Sequence, residues 1–519
     1  MNVLTQSSNV GARRLVGAAA LIAVGNLLSR GLGLLRDVTI AATFGASAST
    51  DAFVIARTLP TILYDLLVGT VNTAAFVPVF VEHGHDEQQF WRLVSAIFSL
   101  AGLAFVCLAV VLAVLADPII GLIGSGFSDP SQRALAADMM RIALLSVVFQ
   151  GLAGVLTSAL YAQNRFLLPA FATATYNAGI ILAILLLAWA LGPTAMAVGL
   201  VVGALAQFLL QASGVRAFWG AYRPRIDLDD PAVRRILALA GTVAAGLVVT
   251  AAGQFIDRNL ASRLPTGSVS SMEYATRVVQ FPLGIVGLAV SYAVLPTLSR
   301  YRADESLPEY RAALVFGLRL VLVLMLLALA LVAALAAPLV GLLFERGAFE
   351  PADTVRTTAV LLAYSIQLPF TAVDFLLINA FYARQNARTP VVVGAVCVLV
   401  YVAVALGTLS WLGVVGLALA NAVQNSSHAV ILLVLLRRTL PSLGLGSALA
   451  PFLVRVVPAA VVVAGVLFAV WPLLAPLGKL PALLLCGAVG SLLYAVLLHV
   501  LGVEETRAMR HLIRRPSPS

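Results

Sequence analysis

Leu320-Val-Leu-Val-Leu-Met-Leu-Leu-Ala-Leu-Ala-Leu-Val-Ala-Ala-Leu-Ala-Ala-Pro-Leu-Val-Gly-Leu-Leu343 runs for twenty-four residues without one charged side chain. A helix of about 20 apolar residues spans the ~30 Å hydrocarbon core of a bilayer. Working outward, Ala101–Ala116, Ile180–Leu191 and Ala459–Leu474 have the same character. Of 519 residues, 61% are hydrophobic and 11% charged, where soluble domains carry roughly 25% charged residues. The solvent of this chain is lipid.

The apolar runs and the breaks between them predict spans at 12–43, 49–81, 91–116, 132–162, 167–190, 194–219, 231–262, 268–299, 310–344, 354–383, 389–410, 412–436, 447–475 and 480–502. The expected fold is therefore all-α, a polytopic membrane protein of about fourteen helices. With the first terminus and every second loop assigned to the cytoplasm, that side carries twenty positive residues and the other side six. Basic residues accumulate on the cytoplasmic side of membrane proteins, so both termini are expected there. Arg13 and Arg14 lead straight into the first span without a small-residue cleavage site, so that helix is expected to serve as its own insertion signal. The pI near 9.9 follows from these basic loops and does not call for nucleic acid. Cys107, Cys397 and Cys486 all sit in apolar runs, which argues against a disulfide framework.

The chain also repeats itself. Asp117-Pro-Ile-Ile-Gly-Leu-Ile returns 220 residues later as Ala337-Pro-Leu-Val-Gly-Leu-Leu. Tyr161-Ala with Pro169 returns as Tyr382-Ala with Pro390, and Val198-Gly-Leu with Gln207 as Val415-Gly-Leu with Gln424. Three matches in one order at nearly one offset indicate duplication. Six spans per repeat is an even number, so both halves enter from the same side, which is a transporter architecture with a substrate site between halves. The expected division is 1–225 for the first six-helix half, 226–440 for the second, and 441–519 for a terminal helix pair and tail.

The same offset relates ionisable residues inside the spans. Asp37 maps to Asp257 and Arg57 to Arg277, and around them lie Arg30, Arg36, Asp51, Asp65 and Glu273. A charge at the centre of a span costs about 2.5–3.5 kcal/mol on insertion scales, so these residues should face a wet cavity or pair with one another. Arginine binds phosphate oxygens through a planar fork and keeps its charge when dehydrated. Arg30, Arg36, Arg57 and Arg277 are thus candidates for an anionic head group. Asp37, Asp51, Asp65, Asp257 and Glu273 are candidates for pairing or ion coupling. A structural Arg36–Asp37 pair is the competing reading there, and snorkelling to a span end that for Arg141, Arg319 and Arg455.

Enzyme chemistry finds little support. Lys479 lacks the glycine spacing and Ser/Thr of a phosphate-binding loop. His83-Gly-His85 with Asp86 and Glu87 reads as a solvated loop rather than a metal cluster. No catalytic residue, metal or cofactor is expected; the coupling ion stays open, with the membrane potential as a candidate energy source.

Ser29-Arg30-Gly-Leu-Gly-Leu-Leu-Arg36-Asp37, Ala41-Ala42-Thr-Phe-Gly45, Thr50-Asp51-Ala52-Phe53, Leu59-Pro60 and Phe76-Val77-Pro78 closely resemble the opening of the lipid II flippase family (MurJ, or MviN). Ser271-Met-Glu-Tyr-Ala-Thr-Arg277, Phe281-Pro282 and Leu295-Pro296 resemble its eighth helix. The resemblance implies the multidrug/oligosaccharidyl-lipid/polysaccharide exporter superfamily. It also implies flipping of undecaprenyl-diphosphate-linked peptidoglycan precursor across the bacterial cytoplasmic membrane by alternating access. Arg30, Arg36, Asp37, Asp51 and Arg277 fall on the family's cavity positions, and the last two helices on its groove for the lipid tail. Membrane lipids and the cell-wall synthesis machinery are the implied partners of a monomer. One departure stands out: Tyr64 and Asp65 replace the family's usual paired arginines, and Gly69 its glutamate. Two alternatives stay open: a flippase for another polyprenyl-linked oligosaccharide, and a MATE-type cation-coupled exporter.

Overall fold

Where the chain bends is set by its glycines and prolines. The structure, a computed structural model, describes residues 2–65, 72, 75–287, 290 and 307–503. Gly69, the Leu295-Pro296 pair, Arg300, Arg302 and the basic tail from Arg507 lie outside these residues. Helix α1, Asn2–Phe44, stops at Gly45, whose φ of +67° lies in a region that L side chains rarely adopt. Within the span expected over 49–81 the described residues include α2 (Ala48–Ala56), α3 (Thr58–Tyr64) and α4 (Val77–Glu82). Pro60 and Pro78 stand in the first turns of α3 and α4, where a missing N–H is tolerated because that donor would have no intrahelical partner.

Next come α5 (Glu87–Val114), α6 (Ala116–Ile123), α7 (Pro130–Ala162), α8 (Leu167–Leu191), α9 (Ala195–Gly214) and α10 (Arg216–Ala221). These are followed by α11 (Pro231–Ser262), and by α12 (Ser268–Pro282), which runs into a wider π-type turn over Leu283–Gly287. The rest of the chain forms α13 (Leu307–Leu343), α14 (Pro351–Ser365), α15 (Leu368–Ala383), α16 (Arg388–Thr439), α17 (Leu445–Leu474) and α18 (Lys479–Val500).

Among the described residues, seven helical runs are long and apolar enough to cross a membrane, or eight if α14 and α15, bent by 42°, form one span. Two of the seven are hairpins. The run Leu167–Gly214 has 48 residues, about 72 Å if straight, far more than one crossing needs. It turns at Gly192, bringing Gly179 against Gly203. Helix α16 turns at Gly413, where φ 54° and ψ −129° interrupt the helix. Its two arms lie side by side, since His428 meets the carbonyl of Pro390. The four remaining expected spans begin with α1, α2, α11 and α12. They hold the candidate charges Arg30, Arg36, Asp37, Asp51, Arg57, Asp65, Asp257, Glu273 and Arg277.

Contacts gather the chain into two units, Met1–Ser270 with Arg346–Phe349, and Ser271–Glu345 with Glu350–Ser519. In the first, α7 is the hub: 72% of its most apolar stretch is buried, against 22% for α5. It packs on α2, α3, α4, α5, α6 and α9. Small residues allow this, because a Cβ at Gly151 would enter the ring of Phe105 and one at Gly154 would press on Asn72. Helix α11, which the repeat assigns to the second half, packs on α3, α5 and α6. An aromatic cluster of Phe80, Phe90, Trp91, Phe98 and Phe218 fills the space between α4, α5 and α10.

In the second unit α13 is the hub, flanked by α14, α15, α17 and α18. Lys479 at the start of α18 meets Glu345 at 3.1 Å, and Thr354 of α14 donates to the same carboxylate at 2.8 Å. Those bonds hold the Glu345 carboxyl below its ordinary pKa, the Thr354 hydroxyl contributing most. Large apolar side chains such as Leu473, Leu484, Leu492 and Phe468 point outward from α17 and α18. A belt of this kind is explained by a lipid surrounding.

Candidate functional site: charges inside the spans

In the first unit the ionisable residues divide into bound and open. Arg36 is buried; its Nε and Nη2 donate to Asp37 Oδ1 at 2.9 and 2.8 Å, and its Nη1 donates to Asn177 Oδ1 at 3.1 Å. Asn177, on α8, in turn donates to the carbonyl of Ser29 at 3.3 Å. The guanidinium therefore joins α1 to α8 and neutralises its own neighbour. This is the competing structural pair of the sequence reading, completed by an asparagine that charge counting cannot see.

Arg30 lies two turns earlier on α1, half-buried, and makes no hydrogen bond or ion pair among the described residues. A Cβ at the adjacent Gly31 would meet nothing within 4 Å.

Asp51 is 2% exposed, and both its oxygens are engaged. Oδ2 accepts from Gly267 N at 2.6 Å, while Oδ1 accepts from Ser270 N and Ser270 Oγ at 2.7 Å each. These donors open α12, whose first N–H groups lack intrahelical partners and attract negative charge. The carboxylate acts as a cap supplied from another helix. Arg57, in the turn between α2 and α3, sits with its guanidinium 5.5 Å from the ring centroid of Phe53, within cation–π range. Asp65 ends α3 and is exposed, and Asp257 is half-buried on α11.

In the second unit Arg277 Nη2 lies 2.8 Å from Glu273 Oε1 one turn earlier, and Nη1 donates to Gln280 at 3.3 Å. Glu273 is the more buried partner. The pair sits one turn before Pro282 and the π-type turn, where the helix loses its regular bonding.

Several residues expected at span ends are anchored. Arg141 bonds Asp117 and Asp138 at 2.6 and 2.7 Å, and Arg319 donates to the Ala448 carbonyl over the Phe452 ring. His83 binds the Val79 carbonyl through Nδ1, and Asp86 caps α5 through the N–H groups of Gln88 and Gln89. No group of three or more metal-binding side chains occurs among the described residues.

The MurJ family model, described as lipid II flippase MurJ, matches residues 40–481. The chain belongs to the lipid II flippase MurJ family. It is 33% identical over 460 residues to the lipid II flippase MurJ of Burkholderia cenocepacia, covering 85% of this chain and 87% of that one. It is 31% identical over 534 residues to the probable lipid II flippase MurJ of Rhizobium meliloti, covering 97% of both. A solved lipid II flippase MurJ in an inward closed conformation shares the fold, with a TM-score of 0.79 at 23% identity over 95% of this chain and 100% of that one. An inward-facing MATE family multidrug resistance transporter of the MOP superfamily gives a TM-score of 0.66 at 13% identity, over 80% and 94% of the two chains. The family and the fold expected from sequence are thereby established.

Tyr64, where the family resemblance implies an arginine, stacks its ring on Tyr176 of α8, with centroids 6.2 Å apart and planes 9° from parallel.

Proposed function

We propose that the protein flips lipid II, the undecaprenyl-diphosphate-linked peptidoglycan precursor, from the cytoplasmic to the outer leaflet of the bacterial cytoplasmic membrane by alternating access. The observation that carries this reading is end-to-end similarity, 31% identity over 97% of both chains, to a probable lipid II flippase. Arg30 in the first unit and Arg277 in the second are the proposed diphosphate ligands. Each is half-buried, so each can exchange hydration for phosphate oxygens at a modest desolvation cost. Glu273 keeps Arg277 neutralised while no substrate is bound. Arg57 supplies a further positive charge near the family's missing arginines. Asp51 and the Arg36–Asp37 pair hold the elements that present these groups. The roles of Asp65 and Asp257 are those of cavity acids.

The same proposal includes two duplicated six-helix halves, about fourteen spans and both termini in the cytoplasm. The lipid tail would remain in the bilayer along α17 and α18, whose outward faces are apolar. The chain would work as a monomer beside the cell-wall synthesis machinery, without catalytic chemistry of its own. A second reading, transport of another polyprenyl-linked oligosaccharide, is favoured by the Tyr64–Tyr176 stack, because aromatic faces suit sugar rings. Expression in a bacterium depleted of its own lipid II flippase separates the two. Restored growth and shape support lipid II; well-inserted protein without rescue favours the other glycolipid.

A further inference from the structure

The most unusual polar contact in the second unit joins two residues that the substrate reading does not use. His428, on the second arm of α16, places Nδ1 2.7 Å from Asp374 Oδ1 on α15 and Nε2 3.1 Å from the carbonyl oxygen of Pro390, on the first arm. A carbonyl oxygen only accepts, so Nε2 must carry a proton. The contact at Nδ1 then needs one more proton, on either the imidazole nitrogen or the carboxyl oxygen. With it, the pair is neutral and bridges three helical segments. Without it, the single imidazole proton can serve the Asp374 carboxylate or the Pro390 carbonyl but not both, and one of the two bridging contacts is lost.

The surroundings suit a proton that comes and goes. The two side chains retain 13% and 14% of their exposure, so the pair is not sealed. Gln367 and Asp374 on α15 and Asn421, Asn425 and His428 on α16 form facing polar rows, with Asn425 donating to Gln367 and to Asn421. The buried hydroxyl oxygens of Thr371 and Ser426, in the same rows, have no hydrogen-bond partner among the described residues. Buried hydroxyls in a polar setting are normally satisfied by water. From the elements packed on α15 and α16, the titratable group in reach of Asp374 is the Cys397 thiol on the first arm. The guanidinium groups of Arg311 and Arg319 on α13 are engaged by the Leu443 and Ala448 carbonyls. Arg356 on α14 lies by Asp353, and Arg384 at the end of α15 donates to Thr439.

We propose that Asp374 and His428 form a proton-binding site that couples proton movement to transport, the proton acting as the clamp between α15 and the two arms of α16. On release the proton passes from the pair to water, and the pair changes from neutral to a single negative charge. On rebinding, a proton from water on the other side restores neutrality. The proposal rests on the flippase reading, of which it names the coupling ion.

The test uses the full-length protein in proteoliposomes with a pH-sensitive dye trapped inside and lipid II as substrate. A site binding one proton changes its protonated-to-deprotonated ratio tenfold per pH unit. The wild type is expected to move protons when lipid II is added, and its flipping rate to change severalfold with an imposed pH gradient of one unit. Asp374→Asn removes the carboxylate that shares the proton yet can donate an amide N–H to His428 Nδ1, preserving the bridge; it should fold, bind lipid II and lose both proton movement and gradient dependence. His428→Gln gives a second variant should the first fail to insert. Flipping by the wild type without proton movement, or unchanged proton coupling in both variants, overturns the proposal and leaves the flippase reading standing. Nitrogen-15 NMR of labelled histidine, assigned by loss of the His428 signal in His428→Gln, gives a readout independent of flipping. The ring should change its protonation or tautomeric state with pH, and a ring in one fixed state from pH 5 to 9 would also overturn the proposal. Absence of any lipid II movement, with that change of state intact, would refute the flippase reading instead.

Discussion

Arg30 and Arg277 carry the same charge at comparable exposure, yet their partners predict different behaviour on replacement. Arg30 has no bonding partner among the described residues, so Arg30→Ala should leave abundance and thermal stability unchanged while flipping falls at least tenfold. Arg277→Ala strands Glu273, the more buried member of its pair. Breaking a buried pair typically costs ~3–5 kcal/mol, with less expected here because Arg277 is partly exposed. Abundance should therefore fall with activity, and Glu273→Gln added to Arg277→Ala should restore abundance but not transport. Full activity in the Arg30→Ala, Arg277→Ala double variant would contradict diphosphate binding by either. Asp51→Ala removes three buried hydrogen bonds from a carboxylate, each worth about 1.5–3 kcal/mol. Its melting temperature should fall well below that of Asp51→Asn, which keeps one acceptor oxygen. The sequence identified these residues as costly in lipid and therefore special. It did not reveal which were already engaged, because Asn177 pairs with Arg36 across 141 positions and Gly267 with Asp51 across 216. His428 also escaped notice, although polar residues at 421, 425 and 428 and at 367, 371 and 374 follow helical spacing and mark facing stripes.

Elements were legible where apolarity is uniform and less so where glycine and proline cut it. The hairpin at Gly192 falls between the spans read at 167–190 and 194–219, and the one at Gly413 lies one residue inside the span read from 412. The run over 49–81 reads as one span, and Pro60 and Pro78 stand in the first turns of α3 and α4 within it. Gly413 holds a backbone conformation that L side chains rarely adopt. Gly413→Ala should cost about 1–3 kcal/mol and weaken the alignment that brings His428 to Pro390, measurable as a lowered unfolding temperature in detergent. Gly347, at φ +60°, is more constrained, because a Cβ there would run into the carbonyl oxygen of Ala42. Ala348 N donates to that same oxygen at 2.8 Å. Gly347→Val should separate the segments around Ala42 and Ala348, and a cysteine pair placed at 42 and 348 should then lose its ability to cross-link.

At the scale of the molecule, a fold built from lipid-spanning helices is dictated by composition, and the family follows from motifs spread over residues 40–481. Contact divides the chain near residue 270, whereas the repeat read from sequence leads one to expect a division near 225. Helix α11, just past that expected boundary, packs on α3, α5 and α6 of the first unit. Orientation rests on charge: a reporter active only outside the cytoplasm, fused after Ser519, should stay silent, given the excess of basic residues assigned to the cytoplasmic side. Transport of lipid II itself is tested most directly in cells depleted of their own flippase and expressing this protein, by adding from outside an enzyme that cleaves lipid II. The account predicts that lipid II becomes cleavable when the protein is present and stays protected with Arg30→Ala at equal abundance. Lipid II that remains protected while the wild-type protein is correctly inserted would contradict it.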